Sequence, residues 1–155
     1  MKRILLLVTH LGALALGFAL GIYMLPILTE PQGPSVAEVE KHASTATYSA
    51  EFSRDLAGSD LLHWGEGTVY VSEKTVSLMG AVSPGPDYKL YLAPEFVETE
   101  EQFLQIKRKS VQVGDVKTFD NFVLPVPDSI DPAQYTTVVV WCETFGEFIS
   151  AAKYR

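Results

Sequence analysis

The hydrophobic pattern changes character once along the chain, and that change divides it. Residues 4–28 read ILLLVTHLGALALGFALGIYMLPIL, 25 positions without a formal charge. As a helix, such a stretch is long enough to cross a hydrocarbon core of roughly 30 Å. From Phe52 onward a period of two dominates. Val69 and Val71 share one face of GTVYVS, and Thr68, Tyr70 and Ser72 share the other. Ser72-Glu73-Lys74 supplies turn chemistry, and TVSLMG returns Val76 and Leu78 to an apolar face. This predicts a hairpin.

Further strands follow by the same rule. YKLYLA alternates Tyr88, Leu90 and Leu92 against Lys89 and Tyr91. SVQVG carries Val111 and Val113, and NFVLPVP carries Phe122 and Leu124. YTTVVVWCETF is the strongest strand and is taken as the last. Val138, Val140 and Cys142 share one of its faces, Val139 and Trp141 the other, so it is expected to be central and covered on both sides. TEEQFLQIKRK is the one stretch with helical character, through Phe103, Leu104 and Ile106. Short strands separated by Gly, Pro and Asp predict a mainly β domain, an antiparallel sandwich or barrel, after one N-terminal transmembrane helix.

The expected organisation is an anchor at 1–28, a linker at 29–49 and a β domain at 50–155. Pro31, Gly33 and Pro34 stop the apolar helix. SVAEVEKHA then has room for one or two helical turns in a stalk that lifts the domain off the headgroups. Lys2 and Arg3 precede the span, so the N-terminus is expected to be cytoplasmic and the domain periplasmic or extracellular. A cleaved signal is the alternative. Signal h-regions run about 7–15 apolar residues and end at a small-x-small site, and IYMLPILTEPQG offers none. Ala13, Gly17 and Gly21 recur every four residues, a spacing that lets two such helices approach and dimerise.

The formal net charge is −7. Without Lys2 and Arg3 the remainder carries about −9, which repels nucleic acid phosphates. The run Lys107-Arg108-Lys109 is too short to reverse this and reads as a solvated face. Cys142 is the only cysteine, so no disulfide closes within the chain.

Three clusters carry a resemblance. Phe52 is followed by His63-Trp64-Gly65-Glu66-Gly67-Thr68. Gly85-Pro86-Asp87-Tyr88 leads into Leu90-Tyr91-Leu92. Val140-Trp141-Cys142-Glu143-Thr144-Phe145 is followed by Gly146 and Phe148. In order and spacing they resemble the DM-thirteen family, also called the electron-transfer DM domain, over about residues 50–154. The resemblance implies a β-sandwich-like module of the kind found beside haem- or sugar-binding DOMON domains. It also implies a redox role resting on the single cysteine, here Cys142. Gly65, Gly67, Gly85, Pro86, Asp87, Trp141, Phe145 and Phe148 would be the family's structural positions.

Each candidate has two readings. Cys142 is either a redox thiol, able as thiolate to ligate haem iron or a transition metal, or a small buried hydrophobe. Glu143 beside it would disfavour the thiolate. His63 is a second ligand or a strand-entrance residue bonded to backbone. Met79 is an axial-type thioether or strand filling. Asp87 caps its turn or holds a cation. Trp64, Trp141, Tyr88 and Tyr91 relay electrons, face a ligand, or simply pack. No zinc spacing, phosphate loop, nucleophile elbow or GxGxxG is present. A membrane-anchored redox module with an envelope partner, such as a redox protein, therefore stands against a non-redox binding or structural sandwich.

Overall fold

The computed structural model describes residues 1–155. Helix α1, Lys2–Thr29, contains the whole apolar run and buries none of its residues. At 1.5 Å per residue it is about 42 Å long, more than a bilayer core needs. It is the one helix long and apolar enough to cross a membrane. Helix α2, Val36–Ala43, begins at Ser35, whose hydroxyl accepts the Glu38 N–H at 3.3 Å. Glu38 lies in its first turn and Lys41 and His42 in its last, the polarity a helix dipole favours.

Eight strands follow: β1 Tyr48–Phe52, β2 Gly65–Val71, β3 Thr75–Val82, β4 Tyr88–Ala93, β5 Val111–Val116, β6 Asp120–Pro125, β7 Thr137–Cys142 and β8 Glu147–Lys153. They form two antiparallel sheets, in the orders β1-β2-β3-β6 and β5-β4-β7-β8. Helix α3, Glu100–Ile106, crosses between β4 and β5 and runs into a 3-10 turn, Lys107–Lys109. The expected sandwich is present, and so is the expected hairpin. Val69 faces Leu78 and Val71 faces Val76 across β2 and β3.

Three features differ from the periodicity reading. Strand β1 starts at Tyr48, inside the segment taken as linker, because Tyr48, Ala50 and Phe52 alternate toward the core. A strand follows β7: in β8 the run Phe148–Ala152 is buried on both faces, which erases its alternation. The stalk is not free either. Val39 of α2 is fully buried, and α2 lies against β3 and β6.

The interior divides in two. Twenty residues fill the space between the sheets, among them Leu78, Leu90, Val138, Val140 and Cys142. Nine more, including Val139, Trp141, Phe103 and Phe148, lie between the second sheet and α3. Each fully buried aliphatic side chain contributes about 1.5–3 kcal/mol.

Gly67 and Gly80 pair across β2 and β3, where the backbones approach closely. A Cβ on Gly67 would lie 2.3 Å from the Met79 carbonyl, and its φ is +106°. By contrast, a Cβ on Gly114 would meet nothing within 4 Å. Gly67→Ala is expected to cost at least about 2 kcal/mol, and Gly114→Ala no more than about 0.5 kcal/mol. Urea unfolding of the full chain in detergent, followed by tryptophan emission, checks the pair. Equal losses at both positions would contradict this account.

Candidate functional site around Cys142

Cys142 ends β7, opposite Tyr88 at the start of β4. The turn before Tyr88 closes over the thiol. Cys142 Sγ donates to the Pro86 carbonyl at 3.0 Å. Asp87 takes a left-handed φ of +56°, which Asp adopts more readily than most residues. Its carbonyl accepts the Glu143 N–H at 3.1 Å, and its carboxylate accepts the Thr144 hydroxyl at 2.9 Å. Lys89 Nζ also reaches that carboxylate at 2.8 Å, so a cation is already paired there through a side chain. At Gly85 a Cβ would fall 2.2 Å from the Tyr88 hydroxyl oxygen, so the tyrosine occupies the space that the glycine leaves.

Cys142 is 2% exposed, yet it borders a cavity of about 370 Å³. His63, Tyr88 and Phe145 line the same cavity. Ala19, Ile22 and Tyr23 of α1 complete it, so it sits where anchor and domain meet. The structure thus brings His63 and Cys142 to one space. Asp60 holds the histidine: its Oδ2 lies 3.1 Å from Nδ1, and its Oδ1 accepts the N–H groups of Leu62 and His63. Nε2 is the ring nitrogen left for a ligand. Met79 lines no part of the cavity and faces Thr68 across the first sheet. No three His, Cys, Asp or Glu side chains converge as a metal-binding group anywhere in the chain. Side chains alone therefore do not fit a metal ion. Cys142 and His63 are the two donors that would hold a haem iron here, and it would supply one-electron chemistry.

The electrostatics around the thiol are negative. Burial pushes Cys142 above its ordinary value, the N–H groups of Phe145 and Thr144 pull it back, and Asp87 and Glu147 raise it further. The carboxylates that disfavour the thiolate are therefore these two. Glu143, expected in that role, points the other way along β7. Burial likewise carries the Tyr88 hydroxyl up to about 12.

On the far face of β7, Trp141 is 1% exposed and packs tilted against Phe103, ring centres 5.0 Å apart, and Phe103 meets Tyr91 edge to face at 5.3 Å. Lys107 Nζ sits 5.0 Å over the Trp141 ring and 2.7 Å from Glu143. Tyr91 donates to the other oxygen of that carboxylate. Burial opposes the charge on Glu143, but Lys107 and Tyr91 outweigh it and hold the carboxyl below its ordinary range. The basic run expected to be solvated thus contributes one cation to a half-buried network. The other aromatic positions separate: Phe148 is buried, whereas Phe145 is half exposed at the cavity edge. Trp64 lies under the Arg54 guanidinium, 3.3 Å from its ring centre. Gly65 meets Ser150, which leaves no room for a Cβ.

Sequence reasoning missed Asp60, Tyr23 and Lys107 as neighbours of these groups. The only signal for Asp60 was its position three residues before His63.

A family model described as electron transfer DM13 matches residues 51–154. The chain belongs to the electron transfer DM13 family. No curated protein and no solved structure matches it. The matched span holds the end of β1, all later strands, and every DM13 residue around Cys142, and it leaves α1 and α2 outside. Membership suggests an electron-transfer role for the DM13 domain.

Two predictions follow from the charges. Asp87→Asn removes a negative charge near the thiol and is expected to lower the apparent pKa of Cys142. The rate of alkylation against pH reads this, and an unchanged or raised value would contradict it. Glu143→Gln is expected to cost about 1 kcal/mol near pH 7. Because the folded carboxyl is held low, its stabilisation is present above the unfolded value and is lost as pH falls through the folded one. The variant and the parent should therefore converge in urea titrations once the medium is acidified below the folded value.

Proposed function

We propose that this DM13 chain is a membrane-anchored, extracytoplasmic electron-transfer module in which Cys142 is the redox-active group and His63 its partner. The observation that carries the reading is the shared cavity: the only cysteine and a carboxylate-oriented histidine border one space at the anchor–domain junction. Lys2 and Arg3 ahead of α1 favour a cytoplasmic N-terminus and a domain on the far side. The raised thiol disfavours free thiolate chemistry near neutral pH. It leaves ligation, in which Cys142 and His63 would hold an iron centre. When bound, such a centre would supply the one-electron step, while Asp60 would fix the imidazole and the N–H groups of Thr144 and Phe145 would hold the sulfur. The partner in this reading is an envelope redox protein, and the Ala13, Gly17 and Gly21 face of α1 allows self-association in the membrane.

One observation favours a second reading, a non-redox binding or structural module. Cys142 belongs to the inter-sheet core, and its thiol is satisfied by the Pro86 carbonyl. In that case it packs as a small hydrophobe.

The full chain, purified in detergent without reductant, separates the two. The redox reading expects a visible absorption band and bound iron, both lost in Cys142→Ser. A colourless, metal-free protein whose thiol alkylates only after unfolding would overturn it and leave the binding module standing.

A further inference from the structure

We propose that the Cys142 end of the domain docks on the bilayer itself, with Leu61, Leu62 and Phe145 seated in the lipid interface. This rests on the reading of α1 as membrane-spanning.

These three residues break the ordinary rule for a domain surface. Leu61 is 95% exposed, Leu62 55% and Phe145 52%. Scattered apolar residues need no explanation, but Leu62 and Phe145, from two loops, border one cavity, and Leu61 adjoins Leu62 in the chain. Leu62 and Phe145 line the same cavity as Ala19, Ile22 and Tyr23 of α1. A hydrocarbon core of roughly 30 Å takes about 20 helical residues, which from Ile4 ends near Tyr23. The apolar loops therefore lie beside the part of the anchor that leaves the lipid.

The domain is also held there. Glu30, one residue beyond α1, accepts the Phe119 N–H at 2.7 Å. Ile27 packs against the inter-sheet core. No free tether separates the span from the sandwich. The strands fix which end faces down: Gly65, Tyr88 and Cys142 lie at the anchor end, and the Ser72–Thr75 turn lies at the other end of β2 and β3. Six or seven strand residues put that turn roughly 20 Å away. The chain is acidic overall, so attraction to anionic headgroups does not drive this contact. Apolar insertion does, and the contact is insensitive to salt. In this pose the cavity beside Cys142 opens onto the headgroup layer, and whatever reaches the thiol partitions there first.

Tryptophan quenching in the full chain tests the docking. Leu14→Trp, Leu62→Trp and Glu73→Trp are surface substitutions. Each is reconstituted in phosphatidylcholine vesicles brominated either near the headgroup or deep in the acyl chain, and the wild-type emission is subtracted. Docking predicts that Leu62→Trp loses most of its added emission to shallow bromine, that Leu14→Trp loses it to deep bromine, and that Glu73→Trp keeps it. Quenching at Leu14→Trp with none at Leu62→Trp overturns the docking and leaves the span intact. Emission from Leu62→Trp that is blue-shifted yet unquenched puts protein, not lipid, on this surface and overturns it as well. Equal quenching at Leu62→Trp and Glu73→Trp overturns the end-on pose. No quenching at Leu14→Trp overturns both the span and the docking.

Discussion

Strand β7 has no exposed residue, and that double burial dictates the rest of the second sheet. Alternation along it sends Val138, Val140 and Cys142 between the sheets, and Val139 and Trp141 under α3. Both sides must be roofed: by the first sheet on one face, by α3 and its 3-10 turn on the other. A slip of one residue would drive Trp141 into the space that Cys142 fills and carry Val138 and Val140 under α3, so the register is strongly specified. The bulge between Val140 and Trp141 against β8 adjusts the end of the strand without reversing its faces.

The same alternation explains the opposite environments of adjacent residues. Cys142 looks into a cavity edged by the Glu147 carboxylate, and Glu143 looks out to a lysine. Every cation close to the site is already engaged: Lys89 by Asp87 and Asp115, Lys107 by Glu143. None is left to lower the thiol, which explains physically why a cysteine so near basic residues is held protonated. Lys107 carries no weight at the thiol, because the strand's pleat puts it on the other side of β7, against Glu143 and Trp141. A thiol in this setting is a ligand or a packing group, not a free nucleophile.

Much of this fold was legible because period-two patterning survives wherever one face is wet. The β2–β3 hairpin and the two-faced character of β7 follow from valine and leucine positions alone. What was illegible had lost its alternation or gained it from context. Strand β8 reads FISAA at its centre, and burial on both faces leaves no pattern to find. Helix α2 has a single buried residue, Val39, which no periodicity reveals as a contact with a distant sheet. At the site, Cys142 and His63 were visible as residue types. Their meeting was not, because 79 positions separate them and only the pairing of β4 with β7 and of β2 with β3 brings their ends together.

The glycines of the family pattern are explained by what occupies the space beside them. Gly85 gives way to the Tyr88 ring, Gly65 to Ser150, and Gly67 to the Met79 carbonyl. Two of these contacts lie at the anchor end of the sandwich, and the third, at Gly67, is two residues farther along β2. There the Pro86 carbonyl, the Asp87 turn and the Glu143–Gly146 turn lock together through backbone hydrogen bonds. Rigidity is therefore concentrated around Cys142. The opposite end carries an ordinary serine-stabilised turn at Ser72–Thr75 and an exposed Lys74–Asp128 pair of little energetic weight. A structural cysteine needs only a filled core around it. Cys142 is held by a fixed carbonyl beside a cavity, and His63, oriented by Asp60, lines the same cavity.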